Sequence, residues 1–148
     1  MRRLGLLTVG LLLLSSTGAV AADFTFNVPV TLSNVPSVTQ LAVGCGVSRV
    51  EAGGVSPFGP GNVVGSGQTA MPVSGGAYSG TVRVEVNASG IISADQARSY
   101  SCSLSVVGRA RTGAAYTGSP GNLQAIYETA TGHTLTSVRT TVRGPIPR

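Results

Sequence analysis

The chain has 148 residues, with ten basic side chains, all arginine, against five acidic ones and a formal net charge of +5. Arg2 and Arg3 lie in the leader described next, so the remainder carries eight arginines against five acids, about +3. This mild charge and the scarcity of aromatic residues argue against specific nucleic-acid binding. Gly, Ser, Thr and Val are abundant and strong helix formers are few, which predicts strands joined by turns.

The first 22 residues have the three zones of a cleavable secretory signal peptide. Met1–Arg3 is positive, Leu4–Leu14 is apolar, and Ser15–Ala22 is small and weakly polar. We predict cleavage after Ala22, with Ala21 as the alternative. The apolar run is about half the roughly 20 residues of a spanning helix, so export is predicted rather than a membrane anchor. We expect no transmembrane segment elsewhere.

Alternation of apolar and polar residues after the leader predicts seven to eight short strands. The clearest pattern runs from Phe24 to Leu32, where Pro29 predicts an edge position or a bulge. The other predicted strands are Leu41–Val47, Val63–Val64, Thr69–Val73, Tyr78–Val86, Tyr100–Val106, Leu123–Thr129 and Thr134–Arg143. For Leu123–Thr129 the alternative is one helical turn, and the strand is preferred. Residues 144–148 are expected to form an irregular tail. Residues 23–148 are therefore interpreted as one β-rich domain.

Small residues alternate with the apolar ones on the second predicted strand. They are Ala42, Gly44, Gly46 and Ser48. Such a face predicts that another backbone approaches this strand closely.

Cys45 and Cys102 are the two cysteines, and each lies on the apolar face of its own predicted strand. In an exported protein they are expected to form one disulfide within the domain. The alternative is two separate buried thiols. Two cysteines alone do not make a metal site, and we expect no cofactor.

The segment from Asp95 to Cys102 resembles immunoglobulin-like domains, which carry an Asp, an Ala and then a Tyr two residues before the second Cys. Tyr100 has that spacing, and Cys45 lies 57 residues before Cys102. The resemblance implies an antiparallel two-sheet sandwich over Phe24–Arg143, a tyrosine corner at Tyr100, and a binding or structural role. The chain differs from the family by one residue more before the Tyr and by lacking a core Trp.

The Phe24–Leu32 run also resembles the donor strand of chaperone–usher fimbrial subunits, which completes a neighbouring subunit's sandwich. The alternative is that it forms the domain's own first strand. The cysteine spacing and the non-aromatic C-terminal end differ from those subunits.

No cluster of residues indicates a reaction. His133 is the single histidine and follows Gly132 in a predicted turn, and the five acids are scattered: Asp23, Glu51, Glu85, Asp95 and Glu128. No nucleophile elbow is present. We therefore expect a protein that is not an enzyme, although a secreted hydrolase without a local motif is an alternative.

Together these features predict an exported, non-enzymatic binding or structural module. A lysine-free chain rich in Gly, Ala and Val is typical of a GC-rich genome, which indicates a bacterial periplasm or cell surface. Its partner is expected to be a protein or a glycan. The long Gly-rich stretches Glu51–Gly67 and Gly108–Asn122 are the predicted contact surfaces. The alternative from the assembly class is a fibre subunit joined by N-terminal strand exchange.

Overall fold

The computed structural model describes residues 21–119, 122–134 and 141–147. The predicted leader therefore lies outside the described residues, apart from Ala21 and Ala22. The elements are β1 (Phe24–Leu32), β2 (Val38–Ser48), β3 (Val63–Pro72), β4 (Tyr78–Ala88), a 3₁₀ turn (Ala94–Gln96), β5 (Ser99–Arg109), β6 (Ala115–Gly118), α1 (Leu123–Thr131) and β7 (Thr141–Pro145). Within the described ranges, no helix is both long enough and apolar enough to cross a bilayer.

All seven strands belong to one antiparallel sheet with the order β1-β4-β3-β2-β5-β6, and β7 pairs with β5 beside β6. The sheet curls until β1 lies near β5 and β7, where Val28, Leu104 and Val142 border one narrow crevice. The all-β class is thus confirmed. An immunoglobulin-like two-sheet sandwich is not confirmed, because the strands form a nearly closed, barrel-like sheet.

Two glycines allow the sheet to turn back on itself between β3 and β4. Any Cβ on Gly65 would collide with the carbonyl oxygen of Asn87, and any Cβ on Gly67 would collide with that of Glu85. Glycine is therefore required where the two backbones meet at the corner. The two short strands predicted over Val63–Val64 and Thr69–Val73 are one continuous strand that contains these glycines.

The core is filled mainly by valine from the inward faces of β1, β2, β4 and β5. Residues Val28, Val30 and Leu32 of β1 contribute to it. Over its nine residues β1 pairs with β4 of the same chain, from Phe24 opposite Val86 to Leu32 opposite Tyr78.

The predicted disulfide is confirmed between Cys45 and Cys102, which are both buried. The two residues are direct partners on the neighbouring strands β2 and β5, with their Cα atoms 4.0 Å apart. In immunoglobulin domains the corresponding bond joins two different sheets. Here it links adjacent strands of one sheet.

The strand predicted over Leu123–Thr129 is wrong, since the segment is the helix α1. Leu123, Tyr127 and Thr131 recur every four residues and are buried together, so one helical face packs on the sheet. Gly132 ends the helix in the left-handed region at φ 72°, where its N–H donates to the Glu128 carbonyl oxygen at 2.7 Å.

The predicted last strand, Thr134–Arg143, is described only at its two ends. In the described part β7 runs from Thr141 to Pro145. The irregular tail expected from residue 144 therefore begins later, because Gly144 pairs with Tyr100 and Pro145 with Ser99.

Candidate functional site

An open groove of about 520 Å³ lies on the outer face of β2, β3 and β5. Its floor is the backbone of the central strand β2 at Gly44 and Gly46. Gly46 is flanked by Ser66 on β3 and Ser101 on β5. In the next row, Gly44 is flanked by Gln68 and Ser103. The groove exists because the middle strand presents no side chains here, whereas both neighbouring strands do.

The ring of Phe58 closes one end of this groove. If Gly46 carried a Cβ, it would lie 3.0 Å from Cε1 of Phe58, so the ring rests directly on the glycine. The side chain is 40% exposed, and its outer surface remains available. Phe58 is thus both part of the fold and a wall of the groove.

The loop that carries Phe58, residues 49–62, is fastened to the sheet by buried hydroxyls. Ser48 Oγ donates to the Pro57 carbonyl oxygen and accepts the Val50 N–H at 3.0 Å. Ser99 Oγ donates to the Val50 carbonyl oxygen at 2.5 Å. Both serines are almost fully buried, so these hydrogen bonds form away from water and position the Phe58 ring.

A second hollow of about 240 Å³ lies on the other side of Phe58, between the 49–62 loop and β5. Arg143 borders it from β7, where it pairs with Ser101. Of the described residues that line the two hollows, Arg143 is the one that carries a charge. Those that line the groove are all neutral.

The two floor glycines differ in what covers them. Gly46 lies under Phe58, which explains its lack of a side chain. At Gly44 the nearest atom to an added Cβ is the Gly67 carbonyl oxygen at 4.0 Å, so the position is open. Within the part of the chain that the structure describes, the prediction that another backbone approaches this face is therefore wrong. The close backbone approach is at Gly65 and Gly67 instead.

The chemistry of the groove is that of hydrogen bonding without charge. Three serine hydroxyls and the Gln68 amide supply both donors and acceptors, and Phe58 supplies an apolar surface. The described residues that line the groove include no histidine or carboxylate, and so none of them is a base that could activate the serines. Among the described residues, no three His, Cys, Asp or Glu side chains cluster in a way that could hold a metal ion.

The other predicted site residues lie elsewhere. Cys45 is part of the groove floor, and its disulfide partner Cys102 faces the core. The ring of Tyr100 stacks on Phe26 with centroids 4.8 Å apart, and its tyrosine-corner role stays a prediction. His133 is exposed just after α1. Ala22, the predicted cleavage residue, is separated from the start of β1 by Asp23.

The two predicted contact loops lie at opposite ends of the barrel. The first, Glu51–Gly67, supplies Phe58 and then becomes β3. The second, Gly108–Asn122, is described except for residues 120 and 121; it begins at the other end of β2, where Gly108 pairs with Val38, and contains β6. Of the described residues in these two loops, those of the first border the groove. No sequence pattern marks Gln68 or the role of Phe58. The signal for the groove in the sequence is the pair of glycines on one face of β2.

The chain matches no family model, no curated protein and no solved structure.

Proposed function

We propose that this chain is an exported, non-enzymatic binding module of the bacterial periplasm or cell surface, and that it binds its ligand in the Gly44 groove. The observation that carries the proposal is the open floor at Gly44. Glycine inside a strand weakens the strand by about 0.5–1 kcal/mol relative to alanine. In the described fold no contact requires glycine at position 44, whereas the Phe58 ring requires glycine at position 46.

Glycine in a strand often marks a place where a ligand or another backbone comes close. Since no backbone among the described residues covers Gly44, we infer that a ligand occupies this position. The ligand would lie flat against β2 and contact Gln68 on one side and Ser103 on the other.

The chemistry of the lining favours a neutral glycan as that ligand. Sugar hydroxyls exchange hydrogen bonds with serine and glutamine side chains, and the apolar face of a sugar ring packs on an aromatic surface such as Phe58. Arg143 in the neighbouring hollow could add one contact to a polar substituent. An extended protein segment is the second class of partner.

Export is supported by the predicted leader and by the disulfide, because such bonds persist mainly in oxidising compartments. The start of the fold agrees with the predicted cleavage after Ala22. Asp23 accepts the Ala88 N–H at 2.8 Å through its carboxylate, and the Asp23 N–H donates to Asn87 Oδ1 at 3.3 Å. Among the described residues, Asp23, which follows the predicted cut, is thus the first one that is hydrogen-bonded to the domain.

A binding comparison on a neutral-glycan array tests the proposal. We compare the chain beginning at Asp23 with the variants Gly44→Val and Ser79→Val. Gly44→Val fills the groove floor, while Ser79→Val adds the same side chain on the exposed face of β4. We expect a glycan signal for the wild type and Ser79→Val and at least a tenfold weaker one for Gly44→Val. Equal binding by all three proteins, or no bound glycan, would refute the glycan proposal.

The fibre subunit is a second candidate, because in the described ranges β1 has a ladder partner on one side only. Deleting residues 24–32 distinguishes it from the monomeric module. The fibre proposal expects the deleted protein to be rescued by an added peptide of that sequence. The binding-module proposal expects the shortened chain to stay unfolded with the peptide present.

A further inference from the structure

Arg143 differs from the other arginines of the described fold in what holds its side chain. Six arginines lie in the described ranges. Five of them are held by their own chain, through a hydrogen bond, an ion pair or packing on a glycine: Arg49, Arg83, Arg98, Arg109 and Arg111. Arg143 is exposed and makes no hydrogen bond or ion pair with the described residues. Its guanidinium is therefore available to a ligand.

The register of the sheet aligns Arg143 with the groove. Ser101 of β5 pairs with Gly46 of β2 on one side and with Arg143 of β7 on the other. Direct partners on neighbouring strands share a face, so the three residues form one row across the outside of the sheet. Neighbouring strands lie about 4.8 Å apart, which places the Arg143 backbone about 10 Å from Gly46 along this row.

The groove and the second hollow adjoin each other. Both are lined by Phe58 and Ser101. Ser103, the next outward residue of β5, flanks Gly44 in the groove. The hydroxyls of Ser103 and Ser101 therefore follow one another along β5 from Gly44 toward Arg143, and a ligand on the groove floor has a polar path into the hollow.

We propose that the ligand of the groove is an acidic glycan whose carboxylate binds Arg143 in the second hollow. This inference rests on the proposed function and extends it, from a neutral sugar at Gly44 to a linked uronic acid. Two strand spacings separate the groove floor from β7, a span that two linked sugar rings cover. The planar guanidinium of arginine donates to both oxygens of a carboxylate, which fixes the orientation of such a sugar.

The lining of the hollow suits one anionic group. The described residues that line the groove and the hollow include no carboxylate that would compete for Arg143 or repel the ligand. Gly53 and Gly54 of the 49–62 loop face β5 across the hollow. A carboxylate between loop and sheet is partly removed from water, where its attraction to the guanidinium is stronger than in bulk solvent. One arginine beside a neutral groove thus favours a single acidic sugar over a polyanion.

Paired oligosaccharides test the inference. An array of oligosaccharides that contain uronic acids is compared with the same oligosaccharides after reduction of their carboxyl groups to alcohols. Reduction leaves the rings and any sulfate groups in place, so a difference within a pair is due to the carboxylate. We expect the chain beginning at Asp23 to bind at least one acidic form about tenfold more tightly than its reduced form, as a charge-assisted hydrogen bond would produce. This preference should weaken between about 0.02 and 0.3 M salt.

Two arginine variants assign the preference to Arg143. Arg143→Gln should bind the acidic and the reduced forms equally, with the affinity that the wild type has for the reduced form. Arg109→Gln is the matched control, since it removes the same charge from the other end of β5 and should keep the preference. A preference that persists in Arg143→Gln, or that is lost equally in Arg109→Gln, would overturn the inference.

Gly44→Val separates this inference from the proposed function. It should weaken the binding of both forms, because both enter the groove. Reduced forms that bind the wild type as tightly as the acidic forms would contradict the acidic sugar and leave the groove proposal standing. Binding of neither form would refute the groove proposal itself. Acidic forms that bind Gly44→Val normally would reveal an anion site separate from the groove and would contradict a ligand shared by the two hollows.

Discussion

The ring of Phe58 rests on Gly46, with Cε1 3.0 Å from the position that a Cβ would occupy. Phe58 reaches that position because the hydroxyls of Ser48 and Ser99 fasten its loop to β2 and β5. One contact therefore explains one of the two floor glycines, and it leaves the other, Gly44, as the open part of the groove.

A double-mutant cycle measures this contact. We expect Gly46→Val to lower the free energy of unfolding by about 1–3 kcal/mol, because the new side chain displaces the Phe58 ring. In a Phe58→Ala background the same change should be neutral or stabilising, since valine is favoured over glycine in a strand. Urea unfolding of the wild type, the two single variants and the double variant gives the coupling free energy between positions 46 and 58. Equal effects of Gly46→Val in both backgrounds would contradict the contact.

The corner between β3 and β4 gives a second prediction. Gly67→Ala should destabilise the fold by at least about 2 kcal/mol, because its Cβ would collide with the backbone carbonyl of Glu85, which cannot move away like a side chain. Gly44→Ala is the matched control on the neighbouring strand, and we expect it to be neutral or stabilising by up to about 1 kcal/mol. Thermal unfolding compares them. Similar melting temperatures would mean that the corner does not require glycine.

The disulfide gives a third prediction. Replacing both Cys45 and Cys102 with alanine should lower the free energy of unfolding by about 2–4 kcal/mol, since the bond closes a loop with a sequence separation of 57. Urea unfolding of the oxidised wild type and the double variant measures this cost. Because both cysteines are buried, alkylation after adding a reductant should also be slow until the protein unfolds. Fast labelling in the native state would contradict this burial.

Tyr116 gives a prediction on alkaline stability. Burial is the main cause that raises the pKa of Tyr116, while the hydrogen bond to Ser37, with 2.9 Å between the hydroxyl oxygens, opposes it. The folded state therefore holds the phenol proton more tightly than the unfolded state. Its contribution is fully present below about pH 10, the ordinary pKa of tyrosine, and declines as the pH rises above it. Tyr116→Phe should lose less stability between pH 9 and 11 in urea unfolding than the wild type. If the free energy of unfolding fell equally with pH in the two proteins, the raised pKa of Tyr116 would be contradicted.

The sequence correctly predicted the strands that have one apolar and one polar face. Phe24–Leu32 is strand β1 with its stated bounds, and the predicted Tyr78–Val86 and Tyr100–Val106 strands lie within β4 and β5. A strand was preferred for Leu123–Thr129 because Thr, Tyr and Ile favour strands. The segment is the helix α1 because Leu123 and Tyr127 pack together against the core in that conformation.

Contacts between residues that are distant in the chain could not be predicted from the sequence. The disulfide was predicted from composition and compartment, but the pairing register that places Cys45 directly opposite Cys102 depends on how β2 and β5 align. The groove depends on the same register, since it brings Gln68 and Ser103 to either side of Gly44. The return of Phe58 onto Gly46 likewise follows from loop contacts that no periodic pattern encodes.

The amide NMR spectrum of the ¹⁵N-labelled chain beginning at Asp23, titrated with neutral oligosaccharides, tests the central claim most directly. We predict saturable shift changes centred on Gly44, Gly46 and Gln68 that disappear in Gly44→Val while Ser79→Val retains them. Changes centred elsewhere on the barrel, or changes that persist in Gly44→Val, would contradict the assignment of the groove as the binding site.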